Sequence, residues 1–492
     1  MNKNVKIKLN VAAFRDKVYA CWVGKNIGGT MGAPYEGKRE YLDVRGFATA
    51  QGVVLPNDDL DLQLVWLHAV EQLGPLAIDA ATLGEFWLSY IVPHWNEYGL
   101  GKNNMVRGLL PPLSGDYENN WRDSNGAWIR TEIWACLAPA SPASAARYAT
   151  EDAKVDHGAG EGSSAAAFVA AMQSAAFAVK DLRKCIEIGL GAIPASSRMA
   201  DSVRFILECF DSGMAPLEAR EAIFARNADI GDGWFEAPTN VSYALIGLLW
   251  GGGDLKKSII TACNCGDDTD CTCATVGATL GILGGMAGIP EDWRRYIGDE
   301  IITVSVNKGD GRGGGRVPKT CTELSERVCR LAPHTLFAIG DRVRLTDGES
   351  KLPESLVECL TAEAEDFRRG STLTPYQTVF ESDCLVAEVV LDRAPDVYPG
   401  SSLGVTVKVS CRRSLGDDNL NLTCRWWLPE GFTVSGKQTA YLQNKNAHTT
   451  GDVTLSFTLT AGESVSPTSR AVLEITAAGR PTVLYCPILL LG

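Results

Sequence analysis

The distribution of hydrophobic and polar positions changes once along the chain. Between residues 11 and 335, apolar residues recur at helical spacing, for example from Leu60 to Val70. From about residue 385 onward, short runs alternate apolar and polar positions, and turn residues such as Pro399–Gly400 separate them. The pattern therefore predicts a helical region followed by a region of antiparallel strands.

A length of 492 residues suits more than one domain. We predict a multidomain α and β protein, with an all-α domain over residues 1–335 and an immunoglobulin-like antiparallel β-sandwich of about seven strands over residues 385–492. The segment 336–384 is mixed, and we treat it as a connector with one helix over Glu354–Phe367.

Composition and charge exclude several classes of protein. Hydrophobic residues make up 45% and charged residues 21%, which is ordinary globular usage and excludes a disordered chain. The formal charge of −13 disfavours nucleic acid as a partner. The 15 scattered cysteines are odd in number and predict reduced thiols in a cytoplasmic protein. The uncharged stretches 163–179 and 271–289 contain polar and small residues, so we expect buried helices and no membrane contact.

Two acidic clusters precede apolar helical patterns. The first is Asn57-Asp58-Asp59, and the second is Asp267-Asp268-Thr269-Asp270. Carboxylates at a helix N-terminus can simply cap free backbone N–H groups. Adjacent carboxylates also repel one another unless a proton or a cation lies between them, and oxygen ligands suit Mg²⁺ or Mn²⁺. Capping and metal binding both remain open on spacing alone.

Four cysteines surround the second acidic cluster: Cys263, Cys265, Cys271 and Cys273. They raise the possibility of zinc, but the C-x-C spacing is tighter than that of a usual structural zinc pair. We favour small packing residues beside a buried helix.

Five segments occur in an order that resembles one known family. They are Ile27–Glu36, Asn57–Asp59, Asn125–Arg130, Asp156–Gly158 and Cys265–Thr272. The second is similar to a Thr-Asp-Asp-Thr motif, and the last is similar to a Gly-Gly-Asp-Thr-Asp-Thr loop that leads into an Ala/Gly helix. Together they resemble the ADP-ribosylglycohydrolase family (dinitrogenase-reductase-activating glycohydrolase-like), and the extra sandwich after residue 385 lies outside the family core.

The resemblance implies an all-helical fold built around two divalent ions, Mg²⁺ or Mn²⁺. Carried over position by position, it implies metal ligands at Asn57, Asp58, Asp59, Asp268 and Asp270. The family's final Thr corresponds to Cys271, whose thiol is a poor ligand for Mg²⁺, so Thr272 is the expected substitute. Gly29 replaces a family Asp and Asp267 replaces a family Gly, which indicates an altered substrate pocket.

The chemistry of glycosidic cleavage suggests roles for the acids. The reaction needs stabilisation of an oxocarbenium-like transition state and a proton transfer. We expect Asp58, Asp59 and Asp268 to take part in catalysis as well as in metal binding. Glu36 matches a family Glu near the substrate and is the second candidate acid/base, although a solvated loop carboxylate is the alternative.

Other residues are candidates for substrate contact. The resemblance implies contacts from Asn125 and His157, although a loop His that only caps a helix is the alternative. Trp95 and Trp121 lie in segments rich in aromatics and amides, which suit sugar stacking but also loop anchoring. The segment Gly309–Arg316 could hold a diphosphate, but a flexible surface loop is the favoured interpretation.

These observations predict a hydrolase, namely a metal-dependent glycosidase of the ADP-ribosylglycohydrolase type. The substrate would be a small-molecule sugar or ADP-ribosyl group joined by an N- or O-glycosidic bond. The alternatives are a glycoside hydrolase for a non-nucleotide carbohydrate and a non-catalytic protein that binds a sugar or nucleotide. A homo-oligomer is possible, with the sandwich as its contact surface.

Overall fold

The structure is a computed structural model that describes the following residues: 6–231, 233–306, 317–371, 373–412, 419–443 and 451–492. The segment Gly309–Arg316 lies outside them. The chain divides into two compact units, which we call the helical unit (residues 1–102 and 119–372) and the sandwich unit (residues 103–118 and 373–492).

The described part of the chain contains α-helices over most of its first 370 residues. They are α1 (Val11–Gly32), α2 (Asp58–Leu73), α3 (Ala80–Tyr90), α4 (Asn96–Val106), α5 (Leu113–Asp116), α6 (Glu132–Leu137), α7 (Pro142–Ala153), α8 (Glu161–Ala176), α9 (Leu182–Gly191), α10 (Arg198–Asp211), α11 (Pro216–Arg226), α12 (Ala237–Gly251), α13 (Leu255–Asn264), α14 (Thr269–Gly284), α15 (Glu291–Ile297), α16 (Cys321–Ala338) and α17 (Leu356–Gly370). The predicted succession of a helical region and an antiparallel β region is confirmed.

Several expected helices are present at nearly the expected places. The pattern from Leu60 to Val70 lies in α2, and the uncharged stretches lie largely in α8 and α14, which are buried along most of their length. The helix expected over Glu354–Phe367 is α17. Two short strands also occur in the helical unit, where β1 (Ile7–Asn10) pairs in parallel with β2 (Val343–Thr346).

Helices α1 and α14 cross with their backbones almost in contact. A Cβ atom at Gly24 would lie 2.2 Å from the carbonyl oxygen of Gly277, and one at Gly28 would lie 2.0 Å from that of Cys273. Glycine removes this steric conflict and permits the close approach. The crossing fixes the N-terminus of α14, which carries the second acidic cluster, beside the C-terminal half of α1.

The sandwich unit is built of two antiparallel sheets. Its strands are β3 (Gln377–Glu381), β4 (Leu385–Leu391), β5 (Ser402–Cys411), β6 (Leu420–Trp427), β7 (Thr433–Gly436), β8 (Thr439–Leu442), β9 (Asp452–Thr460), β10 (Thr468–Ala477) and β11 (Val483–Leu491). The sheet orders are β3-β4-β5-β9-β7 and β11-β10-β6-β8. Alternate residues of both sheets, such as Val407 and Leu473, point into one apolar core, as expected for a sandwich.

A segment from the helical part of the sequence belongs to the sandwich unit. Leu109, Leu113 and Tyr117 form a buried apolar cluster with Leu489 and Leu491 of β11. The Tyr117 hydroxyl also donates a hydrogen bond of 2.6 Å to Asp396 Oδ1. These contacts group residues 103–118 with the sandwich unit. The domain limits at residues 335 and 385, which the sequence pattern suggests, remain a prediction.

In the part of the chain that the structure describes, none of the helices combines the length and the apolar character that crossing a bilayer requires. All the cysteines are free, and most of them are buried.

Candidate metal centre

The two acidic turns meet in the folded chain. Asp58 and Asp59 occupy the first turn of α2, and Asp268 and Asp270 lie at the start of α14. The Cys271 thiol donates a hydrogen bond of 3.2 Å to Asp59 Oδ1, which joins the two turns directly. The expectation that these distant segments share one site thus has a geometric basis.

Among the residues that the structure describes, two groups of three side chains have ligand atoms close enough to hold a cation. One group is Asp59, Asp270 and Cys271, and the other is Glu36, Asp268 and Asp270. Within each group the ligand atoms all lie within 4.8 Å of one another. Because Asp270 belongs to both groups, the arrangement provides two neighbouring positions that share one carboxylate.

Buried polar atoms without hydrogen-bond partners mark the same region. They include Oδ1 of Asp268, Oδ1 of Asp270, and both Oδ1 and Nδ2 of Asn57, all in side chains that are at least nine-tenths buried. An unpaired buried polar atom carries a desolvation cost, so such atoms call for an explanation. A divalent cation with oxygen ligands would satisfy them, and the residues present therefore fit such an ion.

The electrostatics of the carboxylates also suit a bound cation. Burial, followed by the neighbouring charge of Asp270, raises the pKa of Asp58 to about 6 and that of Asp268 well above its ordinary value. Burial likewise raises the pKa of Asp59, against the opposing charge of Lys25. The charge of Asp270, then burial, raises the pKa of Glu36 to about 8. A bound cation would favour the ionised form of each group.

Asn57 and Gly29 fit together sterically. A Cβ atom on residue 29 would lie 1.8 Å from Asn57 Nδ2. Gly29 therefore leaves the space that the Asn57 amide occupies at the start of α2. The Asp expected here from the family resemblance would not fit beside Asn57 in this conformation.

Two residues orient the carboxylates through hydrogen bonds. Asn125 Nδ2 donates to Asp268 Oδ2 at 2.6 Å, and Asn125 Oδ1 accepts from Trp128 Nε1 at 2.8 Å. The Tyr98 hydroxyl donates to Asp58 Oδ2 at 3.2 Å. The structure thus places Asn125, a predicted substrate contact, directly on a candidate metal ligand.

Thr272 points away from the carboxylates. Its hydroxyl is buried and donates to the carbonyl of Thr269 at 3.3 Å. Successive helical residues are rotated by about 100°, so Asp270 and Thr272 lie on nearly opposite faces of α14. Cys271 contacts the cluster instead, and the geometry does not favour Thr272 as a ligand.

His157 is completely buried. Its Nδ1 lies 2.9 Å from Asp156 Oδ1, and its Nε2 lies 3.3 Å from the hydroxyl of Ser124. Asp156 also pairs with the buried Arg130 at 2.8 Å. These partners are typical of a histidine that holds a loop in place, and the predicted substrate contact of His157 stays a prediction.

The two tryptophans lie in different surroundings. Trp95 is 49% exposed, and its ring centroid lies 6.3 Å from that of Tyr98, which bonds to Asp58. The hydrogen bonds of the Trp121 backbone join it to Asn119 and Ser124 rather than to the acids. The structure therefore connects Trp95 with the acidic cluster more closely than Trp121.

Lys25 and Glu132 also border the acidic cluster, although neither lies in a motif that points to the site. The Lys25 ammonium lies 3.6 Å from Asp59 Oδ2 and 3.1 Å from Glu132 Oε2, and both of its partners are buried. A lone lysine inside an apolar helical run, such as Lys25, indicates a buried ion pair, because lysine is almost never fully buried unless it is paired. Cys271 is the one cysteine in the described metal-ligand groups, so they give no support to a four-cysteine zinc site.

The fold and the site define a predominantly helical protein unit with a buried, carboxylate-rich centre that could bind divalent metal. The chain belongs to the ADP-ribosylglycohydrolase family, whose family model matches residues 10–316. This confirms the resemblance and supports a glycohydrolase function.

Solved structures give weaker likenesses. An ADP-ribosylglycohydrolase-related protein complex shares 19% identity, covers 65% of this chain and 99% of its own, and has a TM-score of 0.42. A FixG-related protein from Vibrio parahaemolyticus shares 14% identity over 22% of this chain and 97% of its own, with a TM-score of 0.18. The GAE domain of GGA2p from Saccharomyces cerevisiae shares 12% identity over 23% of this chain and 96% of its own, with a TM-score of 0.17. None of the curated proteins matches the chain.

Proposed function

We propose that the protein is a divalent-metal-dependent glycohydrolase that cleaves an N- or O-glycosidic bond of an ADP-ribosyl, ribosyl or related sugar substrate. The observation that carries this proposal is the pair of ligand groups that share Asp270 within a family of glycohydrolases. Neighbouring carboxylates of this kind suit two hard cations.

The proposed ligands of Mg²⁺ or Mn²⁺ are Asn57, Asp58, Asp59, Glu36, Asp268 and Asp270. A bound divalent ion would hold sugar hydroxyls and acidify a water molecule. Asn125 keeps Asp268 in one orientation, and Tyr98 does the same for Asp58, so both carboxylates are preorganised.

Glu36 is the proposed acid/base. Its side chain is the exposed member of its ligand group, whereas Asp268 and Asp270 are buried. A cation bound beside Glu36 favours its ionised form, and an ionised carboxylate at this exposed place suits removal of a proton from an attacking water molecule. Asp58, Asp59 and Asp268 would stabilise positive charge that develops on the sugar ring.

The experiment combines substrate and metal panels. The purified protein is incubated with ADP-ribosylated protein, free nucleosides and oligosaccharides, each with Mn²⁺, with Mg²⁺ or with a chelator. We expect metal-dependent release of a free sugar or of ADP-ribose. Absence of turnover for every substrate, or turnover that survives the chelator, contradicts the proposal.

Asp270→Asn tests the shared ligand. We expect this variant to lose turnover and Mn²⁺ binding together, since one carboxylate serves both groups. Asp201→Asn is the matched control, because Asp201 lies on α10 in a partly exposed ion pair with Arg226. An Asp270→Asn protein that binds Mn²⁺ and turns over like the control contradicts the ligand assignment.

A cavity beside the acidic turn supports a non-nucleotide sugar as the alternative substrate. The cavity measures about 210 Å³, and its lining includes Asp267, Glu236 and Arg39. Two carboxylates against one guanidinium disfavour a diphosphate but can bond to neutral hydroxyl groups. Turnover of an oligosaccharide without release of ADP-ribose from modified protein would favour this alternative.

Cys271 supports a non-catalytic binding protein as the other alternative. Burial raises the pKa of its thiol well above the ordinary value, so the side chain stays protonated and is a poor ligand for Mg²⁺. Calorimetry that shows tight sugar or nucleotide binding with no turnover under either metal would decide for this alternative.

A further inference from the structure

A lysine ammonium is fixed at one end of the acidic cluster. Lys25 is fully buried in α1 and donates a hydrogen bond of 2.7 Å to the carbonyl of Ile129. Its Nζ lies 3.1 Å from Glu132 Oε2 and 3.6 Å from Asp59 Oδ2. One ammonium thus lies between two buried carboxyl groups.

Hydrogen bonds hold the partner of Lys25 in place. Gln63 Nε2 donates to Glu132 Oε2 at 2.8 Å, and Gln173 Nε2 donates to Glu132 Oε1 at 3.1 Å. Gln63 Oε1 in turn accepts from the backbone N–H of Ile133 at 2.8 Å. Lys25 and Glu132 therefore cannot move apart without breaking several buried contacts.

The two ligand groups differ in the positive charge that lies beside them. Asp59 accepts from the Cys271 thiol through Oδ1 and faces Lys25 through Oδ2. Asp59 Oδ2, Asp268 Oδ1 and Asp270 Oδ1 all lack a hydrogen-bond partner, so the difference lies in the ammonium that faces Asp59. Ion pairs in the described part of the chain include Asp59, but none of them involves Glu36, Asp268 or Asp270.

We propose that Lys25 makes the two cation positions unequal, so that the Glu36/Asp268/Asp270 position binds a divalent ion tightly and the Asp59/Asp270/Cys271 position binds one weakly. This inference rests on the proposed metal-dependent function. The physical reason is that a fixed ammonium 3.6 Å from Asp59 Oδ2 repels a second cation. Repulsion falls with distance, so the position farther from Lys25 is affected less.

Titration of the metal-free protein with Mn²⁺, followed by calorimetry and by the EPR signal of free Mn²⁺, measures both positions. The wild-type protein should show one tight ion and a second ion that binds at least about tenfold more weakly. Lys25→Met should tighten the weak position by about tenfold or more, because it removes a neighbouring positive charge. Glu132→Gln should weaken the same position, because it leaves the Lys25 charge opposed by Asp59 alone.

Lys25→Met and Glu132→Gln should shift the Mn²⁺ affinity of the weak position in opposite directions. Damage to the fold would instead weaken Mn²⁺ binding in both variants. Lys25→Arg keeps the charge and should leave the weak position within about threefold of wild type. If Lys25→Met does not fold, Glu132→Gln and Lys25→Arg still test the inference. Two equal Mn²⁺ affinities in the wild type, or shifts of the same sign in Lys25→Met and Glu132→Gln, overturn it. Complete absence of Mn²⁺ binding would instead overturn the proposed function itself.

Discussion

At the residue scale, the start of α14 presents a thiol to the carboxylates and turns a hydroxyl away from them. Cys271 contacts Asp59, whereas Thr272 bonds to its own helix. We therefore expect Thr272→Val to leave Mn²⁺ affinity within about twofold of wild type. Cys271→Ser should raise Mg²⁺ affinity about threefold or more, because a hard cation prefers an oxygen ligand. Calorimetry with both metals measures the two effects.

The reverse pattern would show that Thr272 supplies a ligand after all. In that case Thr272→Val would weaken Mg²⁺ binding and Cys271→Ser would leave it unchanged. Thermal unfolding of both variants without metal is the control for fold damage.

Arg130 supports the loop that carries Asn125, because its Nη1 donates a hydrogen bond of 2.5 Å to the carbonyl of Gly126. The guanidinium is fully buried and pairs with Asp152 at 3.0 Å and with Asp156 at 2.8 Å. Arg130→Met would leave two buried carboxylates without their partner and should lower the free energy of unfolding by about 3–5 kcal/mol. Denaturant unfolding measures this change.

Arg183 provides the matched control for Arg130. It pairs with Asp211 at 2.9 Å, but both side chains are substantially exposed to solvent. Arg183→Met should change the free energy of unfolding by less than about 1 kcal/mol. Equal losses in the two variants would mean that burial of the Arg130 pairs contributes little.

Individual residues differ in how well the sequence predicts them. Asp58, Asp268 and Asp270 are predictable, because adjacent acids at helix starts exceed what capping needs, and the family resemblance adds to that. The pairing of Lys25 with Glu132 is not predictable, since it depends on how α1 and α6 are placed around α2. Whether Cys271 or Thr272 faces the carboxylates depends on the residue at which α14 begins. Helix boundaries are the feature that a sequence pattern predicts least well.

At the element scale, the crossing of α1 and α14 positions the second acidic turn. Gly28→Ala would place a Cβ atom 2.0 Å from a backbone oxygen, so the helices must separate. We expect a loss of about 1–3 kcal/mol in the free energy of unfolding, as is typical of overpacking, and weaker Mn²⁺ binding because the turn moves.

Gly284→Ala on α14 is the control for Gly28→Ala. Nothing lies within 4 Å of the added Cβ atom at Gly284. This substitution should be neutral or should stabilise the protein by up to about 1 kcal/mol, since alanine favours a helix more than glycine does. Mn²⁺ affinity that falls equally in both variants would contradict a specific role for the crossing.

The contact between α17 and Arg342, the residue before β2, predicts a pH dependence of stability. Glu363 pairs with Arg342 at 2.5 Å and accepts from the Ser141 hydroxyl at 3.2 Å. Burial, the largest influence, raises the pKa of Glu363 from 4.5 to about 7 against the opposing charge of Arg342, and Asp341 adds to the rise. The folded protein therefore holds this proton over a pH range in which the unfolded chain has lost it.

The sign follows from proton linkage. As pH rises from about 4.5 to 7, the contribution of Glu363 to the free energy of unfolding falls, by about 3 kcal/mol in total. Glu363→Gln cannot ionise, so its stability relative to wild type should improve as pH rises from 5 to 8. Denaturant unfolding at several pH values measures the difference, and a constant difference would contradict the assignment.

At the scale of the whole molecule, sequence texture predicts the order of the two regions but not the membership of every segment. The change from helical to alternating pattern is visible because each period persists over many residues. Residues 103–118 carry helical composition, yet contact density assigns them to the sandwich unit. Only the folded contacts of Leu109, Leu113 and Tyr117 with Leu489 and Leu491 reveal this.

That assignment predicts the behaviour of a shortened chain. A protein cut after Ser371 keeps residues 103–118 but loses β11, so Leu109, Leu113 and Tyr117 lose the buried surface that covers them. Exposed apolar side chains promote association, and we expect this protein to aggregate when gel filtration is followed by light scattering. The same shortened chain with Leu109→Ser, Leu113→Ser and Tyr117→Ser should be more monodisperse, because fewer apolar groups reach solvent. Equal and low aggregation of the two shortened chains would show that the segment does not need the strands for cover, and it would then belong with the helical unit.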